Sequence, residues 1–282
     1  MGSGPVFDSL VMAGGGCRCV WQVGFLEVVA PAIDLRPRQV AAVSAGAAMS
    51  CLVFSGRVEE GVAYFTDRVA ANARNFYPAN LLGDEPVFPH EEIYRATIEH
   101  VCDAEALRRL REGPDIRVLL ARPPAWLGAI PSVFVGFCAY NAEKILAPAV
   151  HPHWTTELGF GSEVVSVREC ETVSELADLI LQSSCTPPFT PLYERADRPA
   201  LDGGLIDNVP VRALAPGAFR TLVLLTRRYD SALLPDVEGR SYVQPSSEIP
   251  IDKWDYTDAS LLRDTLELGR RDGEAFLAAG AF

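Results

Sequence analysis

The chain has 282 residues, of which 49% are hydrophobic and 22% charged, and its formal net charge is −12. This length and composition allow one large buried core and exclude an intrinsically disordered chain. The acidic balance argues against broad nucleic-acid binding and against electrostatic attachment to an anionic membrane, since both need a positive surface. We therefore predict no nucleic-acid partner, and a lipid ligand would have to be met by apolar surface.

Targeting signals and cysteine usage indicate a cytoplasmic location. Residues 1–6 lack the basic stretch of a secretory signal, and no apolar run reaches the ~18 residues of a membrane span. The seven cysteines, an odd number, lie mostly among apolar residues, which favours reduced and buried thiols. We predict a cytoplasmic protein whose contacts with a membrane or micelle are peripheral and transient. The oligomeric state is left open.

The amino-terminal part alternates between predicted strands and helices. Apolar runs predict buried strands at 7–13 and 39–43, followed by helices at 20–30 and 45–54. A glycine loop separates the first strand from the first helix. Alternation of this kind predicts an α/β fold with a mainly parallel central sheet and helices on both of its faces.

The same reading of apolar periodicity gives the later elements. They are helices at 91–110, 172–183 and 258–279, strands at 115–121, 132–140 and 219–226, and a turn-rich surface segment at 230–257. The last helix is amphipathic, so it is expected to pack on the rest of the molecule. No internal repeat, low-complexity tract or flexible linker interrupts the chain, and we predict a single domain.

A serine lies between the second strand and the second helix, in the run Ala42-Val43-Ser44-Ala45-Gly46. A serine on such a sharp turn projects its hydroxyl at the end of the sheet, above the amino end of the helix. The turn needs small neighbours because its strained backbone leaves little room for side chains. The pattern indicates a nucleophile elbow, although alanine stands at the first glycine of G-x-S-x-G. The alternative is a serine that caps a buried helix.

A glycine-rich loop precedes the first helix. Successive glycines expose backbone amides, which can stabilise an oxyanion when they are already in place. The loop lacks the Gly-Lys-Ser/Thr ending of a P-loop, and Cys19 stands at the third glycine of a dinucleotide fingerprint, so nucleotide binding is disfavoured. An ion pair at the surface is the alternative role for the arginine. The residues predicted for an oxyanion loop are Gly14, Gly15, Gly16, Cys17 and Arg18.

A third motif contains an aspartate followed by two glycines, in the run DGGLIDNVP at 202–210. Asp202, Gly203 and Gly204 suggest a carboxylate held where two backbone segments approach closely. Taken alone, a hairpin turn is the better explanation, because Asp-Gly is a frequent hairpin signal. The meaning of this motif therefore depends on the other two.

The histidines limit the type of catalytic group. The four are His90, His100, His151 and His153, and none of them follows Asp202. An α/β-hydrolase orders its triad as serine, acid and then histidine, which is impossible here if Asp202 is the acid. A metal pair formed by His151 and His153 has no adjacent carboxylate pattern, so no metal site is predicted. Acyl transfer would then have to use a Ser–Asp dyad.

Together the three motifs resemble the patatin-like phospholipases. The resemblance covers roughly residues 7–226 and is most specific in the DGGLIDNVP run. It implies a single-domain, three-layer α/β/α fold, with residues 227–282 as a C-terminal extension packed on the same domain. It also implies a serine hydrolase that cleaves fatty acyl esters without a metal or cofactor.

The resemblance also implies a role for each motif. Ser44 would attack the ester carbonyl and form an acyl-enzyme, with Asp202 as its partner. Amides of the glycine loop would stabilise the oxyanion. The expected substrate is a lipid or another acyl ester. Support for the elbow and the acid loop would come from Ala42, Ala45, Gly46, Gly203 and Gly204.

Two departures from the family pattern leave alternatives open. Ala42 replaces a glycine, and Cys19, where the family often has glycine, would narrow the oxyanion loop. A non-catalytic or ligand-activated regulatory protein therefore stays possible, and the acidic surface leaves open an esterase or thioesterase for small soluble substrates. Trp126, in a Pro/Gly loop, is the best candidate for lipid contact. Candidates for an acyl groove, or equally for core packing, are Trp126, Leu127, Ile130, Phe134 and Phe137.

Overall fold

A mixed, mostly parallel sheet forms the centre of the protein and confirms the predicted α/β class. The computed structural model describes residues 6–83, 85–147, 149–217 and 220–280. Within these ranges the sheet has eight strands. They are β1 (Ser9–Met12), β2 (Gln39–Val43), β3 (Asp115–Arg122), β4 (Gly161–Ser166), β5 (Tyr193–Arg195), β6 (Arg198–Asp202), β7 (Thr221–Leu224) and β8 (Arg240–Val243).

Helices flank the sheet. Side chains of Asp103, Thr172 and Asp258 accept hydrogen bonds at the amino ends of three of them and satisfy amides that have no partner inside the helix. In the described part of the chain, no helix combines the length and the apolar character needed to cross a lipid bilayer. The helices are α1 (Val20–Ala32), α2 (Ala45–Ser55), α3 (Val58–Ala71), α4 (His90–Val101), α5 (Ala104–Glu112), α6 (Ala129–Leu146), α7 (Trp154–Glu157), α8 (Val173–Ser183) and α9 (Ala259–Ala279).

The pairing of the strands decides where β2 and β6 end. β1 pairs in parallel with β2 and β7, as β2 does with β3 and β7 with β8. β4 runs antiparallel along one edge of β3, from Arg117 to Arg122. β2 occupies the other edge as far as Leu119, and β6 takes over that edge at Leu120, running in the opposite direction. β2 and β6 therefore end head to head against the same strand.

The central strands are buried on both faces, as expected for parallel strands that helices cover. Every residue of β1, β2 and β7 is buried. Trp21 and Phe25 of α1 are fully buried against the sheet, with their rings stacked at a centroid distance of 5.3 Å. This core holds the carboxyl ends of β1 and β2, and the loops that follow them, in place.

The C-terminal helix α9 packs at very short range against α1. A Cβ placed on Gly24 would be 2.1 Å from the carbonyl oxygen of Leu266, and one on Gly269 would be 2.1 Å from that of Trp21. The indole of Trp21 donates a hydrogen bond to Asp272 at 2.8 Å. This packing supports the assignment of residues 227–282 to the same domain, which stays a prediction.

The strand predicted at 132–140 is wrong, because these residues form the middle of α6. Their β-branched and aromatic side chains are typical of a strand, but other strands already occupy both edges of β3. Gly136 lets α6 approach Phe160, whose ring would be 3.1 Å from a Cβ at that position. Several apolar side chains of this helix, including Ile130 and Phe134, stay exposed.

Smaller differences concern the ends and number of elements. The helix predicted at 91–110 is two helices, α4 and α5, because Asp103 caps the second one. The segment at 230–257 contains β8, which extends the sheet beside β7. The strand predicted at 219–226 is β7; residue 219, like residues 1–5, lies outside the described residues. The other predicted helices and strands are present, with ends shifted by a few residues.

We expect Gly269→Ala to destabilise the fold, although alanine normally favours a helix over glycine by about 1 kcal/mol. The added methyl group would lie 2.1 Å from the backbone oxygen of Trp21, which cannot move aside as a flexible side chain can. Overpacking of this kind costs about 1–3 kcal/mol or more, so the melting temperature should fall by several degrees. Gly83→Ala, which has nothing within 4 Å of the new Cβ, is the matched control. Equal melting temperatures for the two variants would contradict this account.

Candidate active site

Ser44 occupies a sharp turn between β2 and α2. Its φ of 53° and ψ of −134° lie in a region that residues other than glycine rarely adopt. Neighbouring elements hold this strained turn. The Ser44 amide donates to Ser183 Oγ at 2.9 Å, and Ser183 Oγ donates to the Leu119 carbonyl at 2.7 Å. The turn therefore fixes Ser44 at the carboxyl end of the sheet, where a helix begins.

Small residues around Ser44 let α2 begin against the end of β1. A Cβ on Gly46 would be 2.6 Å from the carbonyl oxygens of Met12 and Ala13. Ala42 is fully buried in β2, between β1 and β3. Alanine thus fits at the position where a nucleophile elbow usually has glycine.

Asp202 ends β6 and faces Ser44 where the two strands meet. Its Oδ2 accepts a hydrogen bond from Ser44 Oγ at 2.9 Å and another from Thr186 Oγ1 at 3.3 Å. Its Oδ1 accepts from the Gly204 amide at 2.7 Å, which fixes the orientation of the carboxylate. A Cβ on Gly203 would be 2.3 Å from a backbone oxygen of β3, so this approach requires glycine. The hairpin explanation is wrong, because residues 203–205 form a 3-10 turn instead.

The environment of Asp202 changes its basicity. Burial raises the pKa of its carboxyl above the usual range. Hydrogen bonds from Gly204, Ser44 and Thr186, and the positive charge of Lys253, act in the opposite direction because they favour the ionised form. Since burial is the largest of these effects, Asp202 is a stronger base than a free aspartate, while its hydrogen bonds keep it oriented.

Two distant segments fix the glycine loop that follows β1. The Gly14 amide donates to the Asn208 carbonyl at 3.0 Å, and the Gly14 carbonyl accepts from Asn208 Nδ2 at 2.9 Å and from Thr226 Oγ1. Gly16 has a φ of +56°, and a Cβ there would be 2.1 Å from the carbonyl oxygen of Lys253. Glycine is required at this position because the backbone is left-handed and touches another backbone.

The amide of Cys17 is occupied, which contradicts its predicted role in the oxyanion loop. It donates to the Lys253 carbonyl at 3.2 Å, and the thiol donates to the Asp255 carbonyl. The prediction that Cys19 narrows the loop is also wrong. Cys19 is fully buried, and its thiol donates to the carbonyl of Ala13, so it packs beneath the loop.

Arg18 binds the C-terminal segment and does not line the pocket. Its guanidinium pairs with Asp252 at 3.1 Å and donates to the Ile251 carbonyl at 3.3 Å. The predicted place of Arg18 in the oxyanion loop is therefore wrong, and its alternative role in an ion pair is the correct one. Gly15 and Gly16 line the same pocket as Ser44, so their amides are the candidates for an oxyanion site.

The pocket around Ser44 and Asp202 includes residues that the sequence analysis missed. Lys253 and Trp254 enter it from the C-terminal segment, and His90 enters it from the start of α4. The segment at 230–257, predicted to be a surface connection, therefore supplies part of the pocket. No local motif marks Lys253 as a site residue, because its position depends on a long-range backbone contact with the glycine loop.

His90 lines this pocket but makes no hydrogen bond to Ser44 or Asp202. Its Nε2 lies 2.9 Å from the Trp254 carbonyl, and its buried Nδ1 has no hydrogen-bond partner. Burial lowers the pKa of the imidazole, which favours the neutral ring. Within the described ranges, Ser44 and Asp202 make no hydrogen bond to a histidine, and the carboxylate contacts the serine directly.

An apolar cavity adjoins this pocket on the side of α2, α3 and α4. The two spaces share Gly16, Ala45, Tyr94 and Tyr256 in their walls. Apolar side chains that line the cavity include Ala48, Met49, Leu52, Val62, Phe65 and Ile98. The cavity thus begins beside the pocket that holds Ser44.

The predicted acyl groove lies elsewhere and is not formed as a groove. Trp126, Ile130, Phe134 and Phe137 are 47–73% exposed, so they are neither core residues nor walls of a closed site. Leu127 is half-buried beside them. Exposure of Trp126 and of the apolar side chains of α6 is compatible with contact between this surface and lipid.

The remaining histidines and cysteines serve other contacts. His151 lies 3.1 Å from Asp207 and 3.0 Å from the Tyr242 hydroxyl, whereas His153 pairs with the buried Glu143 at 2.8 Å. Across the residues that the structure describes, no group of three or more His, Cys, Asp and Glu side chains is placed to hold a metal ion. The seven cysteines are free thiols, and six of them are buried.

Comparison with known proteins agrees with this arrangement. A family model described as patatin-like phospholipase matches residues 10–215. A search of curated proteins gave no match. The matched region contains the glycine loop, the Ser44 turn and the Asp202 motif, and it covers more than half of the chain. The chain therefore belongs to the patatin-like phospholipase family.

Proposed function

We propose that the protein is a serine acyl hydrolase that cleaves fatty acyl esters of lipids, with Ser44 as nucleophile and Asp202 as base. The observation that carries this proposal is the 2.9 Å hydrogen bond from Ser44 Oγ to a carboxylate whose pKa is raised by burial. Membership of the patatin-like phospholipase family supports lipid acyl esters as the substrate class.

In the first half-reaction, Ser44 Oγ attacks the carbonyl carbon of the ester while its proton passes to Asp202 Oδ2. The amides of Gly15 and Gly16, together with the positive end of α2, stabilise the charge on the carbonyl oxygen. The tetrahedral intermediate then collapses. The bond to the alcohol oxygen breaks, that oxygen takes the proton from Asp202, and the acyl group stays on Ser44.

In the second half-reaction, water attacks the acyl-enzyme and gives a proton to Asp202. Collapse of the second intermediate returns that proton to Ser44 Oγ and releases the fatty acid. A free aspartate is a weak base for a hydroxyl group, so the raised pKa of Asp202 brings it closer to the operating pH. Its hydrogen bonds to Gly204 and Thr186 keep the carboxylate aligned through both steps.

The apolar cavity beside Ser44 favours an apolar acyl group over a polar one. It starts at Ala45 and Tyr94, which also line the pocket around Ser44, and it continues between α2, α3 and α4. Each methylene group transferred from water into such a space contributes about 0.8 kcal/mol. An acyl chain that enters the cavity would therefore bind more tightly as it lengthens, until the cavity is filled.

We expect Ser44→Ala and Asp202→Asn each to lower kcat for p-nitrophenyl esters by at least about 10⁴-fold, as in other serine hydrolases that lose a member of the catalytic unit. Alanine removes the nucleophile, and asparagine cannot accept the proton. Wild-type activity should persist in EDTA, since the proposed steps use only side chains and backbone amides.

Matched controls for this pair are Ser260→Ala and Asp264→Asn, both at exposed positions at the start of α9. They should keep wild-type rates. Circular dichroism of all variants separates lost chemistry from lost folding. Wild-type rates no higher than those of Ser44→Ala, on long-chain esters and on phospholipid micelles, would replace the proposal by the non-catalytic or ligand-activated alternative.

As the pH is lowered, the activity should fall at a higher pH than the one at which a free aspartate becomes protonated. Asp202 acts as a base only when ionised, and burial raises its pKa above the ordinary value of 3.8. The acidic limb of the kcat/KM profile should therefore have its midpoint above 3.8. A midpoint at or below that value would argue against Asp202 as the base.

The same shift has a consequence for stability. Because the pKa of Asp202 is higher in the folded state, the linked stability is fully present at low pH and is lost as the pH rises through the folded pKa. At neutral pH the ionised carboxylate therefore destabilises the fold. Asp202→Asn should melt at the same or a higher temperature than the wild type at pH 7, and at acidic pH this advantage should disappear.

Val62→Phe should shift the preference toward shorter acyl chains. Val62 lines the apolar cavity from α3, and the larger ring would fill space that an acyl chain extending from Ser44 would enter. We expect kcat/KM for a p-nitrophenyl palmitate to fall by about tenfold relative to a butyrate, which corresponds to about 1.4 kcal/mol, or roughly two lost methylene contacts. An unchanged chain-length profile would mean that the acyl chain lies outside this cavity.

A further inference from the structure

Three basic side chains lie along one face of α6, and one of them, Lys253, also lines the pocket around Ser44. Helical spacing places residues 137, 140 and 144 on the same side of this helix. Lys253 Nζ lies 6.0 Å from the ring centre of Phe137, and Arg227 stacks 5.9 Å from that of Tyr140. The third basic group is Lys144, one turn further along α6. Lys253, Arg227 and Lys144 are called the basic cluster below.

In the described part of the chain, the basic cluster makes no close ion pair with a carboxylate. Within the described ranges, none of its three members forms an ion pair with an aspartate or glutamate within 4.0 Å. By contrast, the neighbouring Arg18 is neutralised by Asp252. Unpaired cations at one place are unexpected in a chain with a net charge of −12. Partial burial is the main cause that lowers the pKa values of Lys144 and Lys253, and repulsion from neighbouring basic groups adds to it, whereas Asp202 and Asp252 act in the opposite direction on Lys253.

The hydrogen bonds of Arg227 leave part of its guanidinium free. Nε donates to the Tyr229 hydroxyl at 2.6 Å and Nη2 donates to the Tyr140 hydroxyl at 2.9 Å. These two bonds hold the guanidinium plane, while Nη1 makes no hydrogen bond to a described residue. Both partners are neutral, so the charge of this half-buried group is not balanced by them. Partly buried charge without a counter-charge is unfavourable, and a bound anion would offset that cost.

We propose that the basic cluster binds a phosphate group carried by the alcohol part of the acyl ester, and this assignment rests on the proposed function. Lys253 lines the same pocket as Ser44 and Asp202, so an anion held there would lie close to the scissile bond. The apolar cavity lies on the side of α2, α3 and α4, which leaves the α6 side for the alcohol part. Arg227 and Lys253 lie after the region 10–215 that the family model matches.

The subsite is tested by binding to the inactive Ser44→Ala protein, which does not depend on turnover. Two ligands of equal chain length are compared by calorimetry below their micelle concentrations: 1-lauroylglycerol 3-phosphate and 1-lauroylglycerol. We expect the phosphate ligand to bind at least about tenfold more tightly, because charge-assisted hydrogen bonds to phosphate are stronger than neutral ones. This preference should weaken as the salt concentration rises.

Variants of the cluster identify the residues that give the preference. Lys253→Met and Lys144→Met, added to Ser44→Ala, should each reduce the preference by about threefold to tenfold, since methionine keeps most of the stem and loses the charge. Arg227→Met should reduce it further if melting curves show that the variant folds. Arg36→Met is the matched control. Arg36 precedes the amino end of β2, whereas Ser44 follows its carboxyl end, and Arg36 pairs with Asp34.

Three outcomes would overturn the proposal. One is equal binding of the two ligands by Ser44→Ala. A second is an equal loss of preference in Arg36→Met, which would indicate a general effect of net charge. The third is binding of inorganic phosphate as tight as that of the phosphate lipid, which would indicate a free-ion site. Failure of the proposed function gives a different pattern: the phosphate preference persists, but the wild type hydrolyses no ester.

Discussion

Ser44 and Asp202 meet because two strands of opposite direction end on one edge of β3. β2 ends at Val43 and β6 ends at Asp202, opposite consecutive residues of β3. The chain can leave the end of each strand only through an unusual backbone arrangement. Ser44 turns away with a positive φ, and Gly203 passes within van der Waals distance of a β3 carbonyl only because it has no side chain. Hydrogen bonds through Ser183 then connect the Ser44 turn to the same strand.

Much of this site could be predicted from the sequence because each motif carries its own backbone requirement. The glycine loop, the Ser44 elbow and the Asp202 run are short, and their geometry depends on small residues within the run itself. The parts that could not be predicted depend on contacts between distant segments. The amide of Cys17 is a free donor in the local sequence, but in the fold the Lys253 carbonyl occupies it. The composition of α6 also resembles that of a strand, since an apolar helix can contain the aromatic and β-branched residues that are typical of strands.

Charge is distributed unevenly in this protein: the chain as a whole is acidic, whereas the basic cluster is locally positive. The net charge of −12 repels anionic surfaces at long range, whereas the basic cluster acts only where a ligand has already entered the pocket. At physiological ionic strength, electrostatic interactions between exposed charges are screened beyond about 8 Å. The positive charges beside Asp202 therefore influence bound groups rather than the approach of a membrane. The exposed apolar side chains of α6 lie on the same side of the pocket and provide contacts of a different kind.

The backbone and the side chain of Lys253 act on different parts of the pocket. The carbonyl accepts the Cys17 amide and lies against Gly16, so it positions the loop that presents the Gly15 and Gly16 amides. The same residue lines the pocket, and its positive charge favours the ionised form of Asp202. A displacement of Lys253 would change both the orientation of the Gly15 and Gly16 amides and the electrostatic potential at Asp202. The geometry of the glycine loop and the electrostatics of Asp202 therefore cannot vary independently.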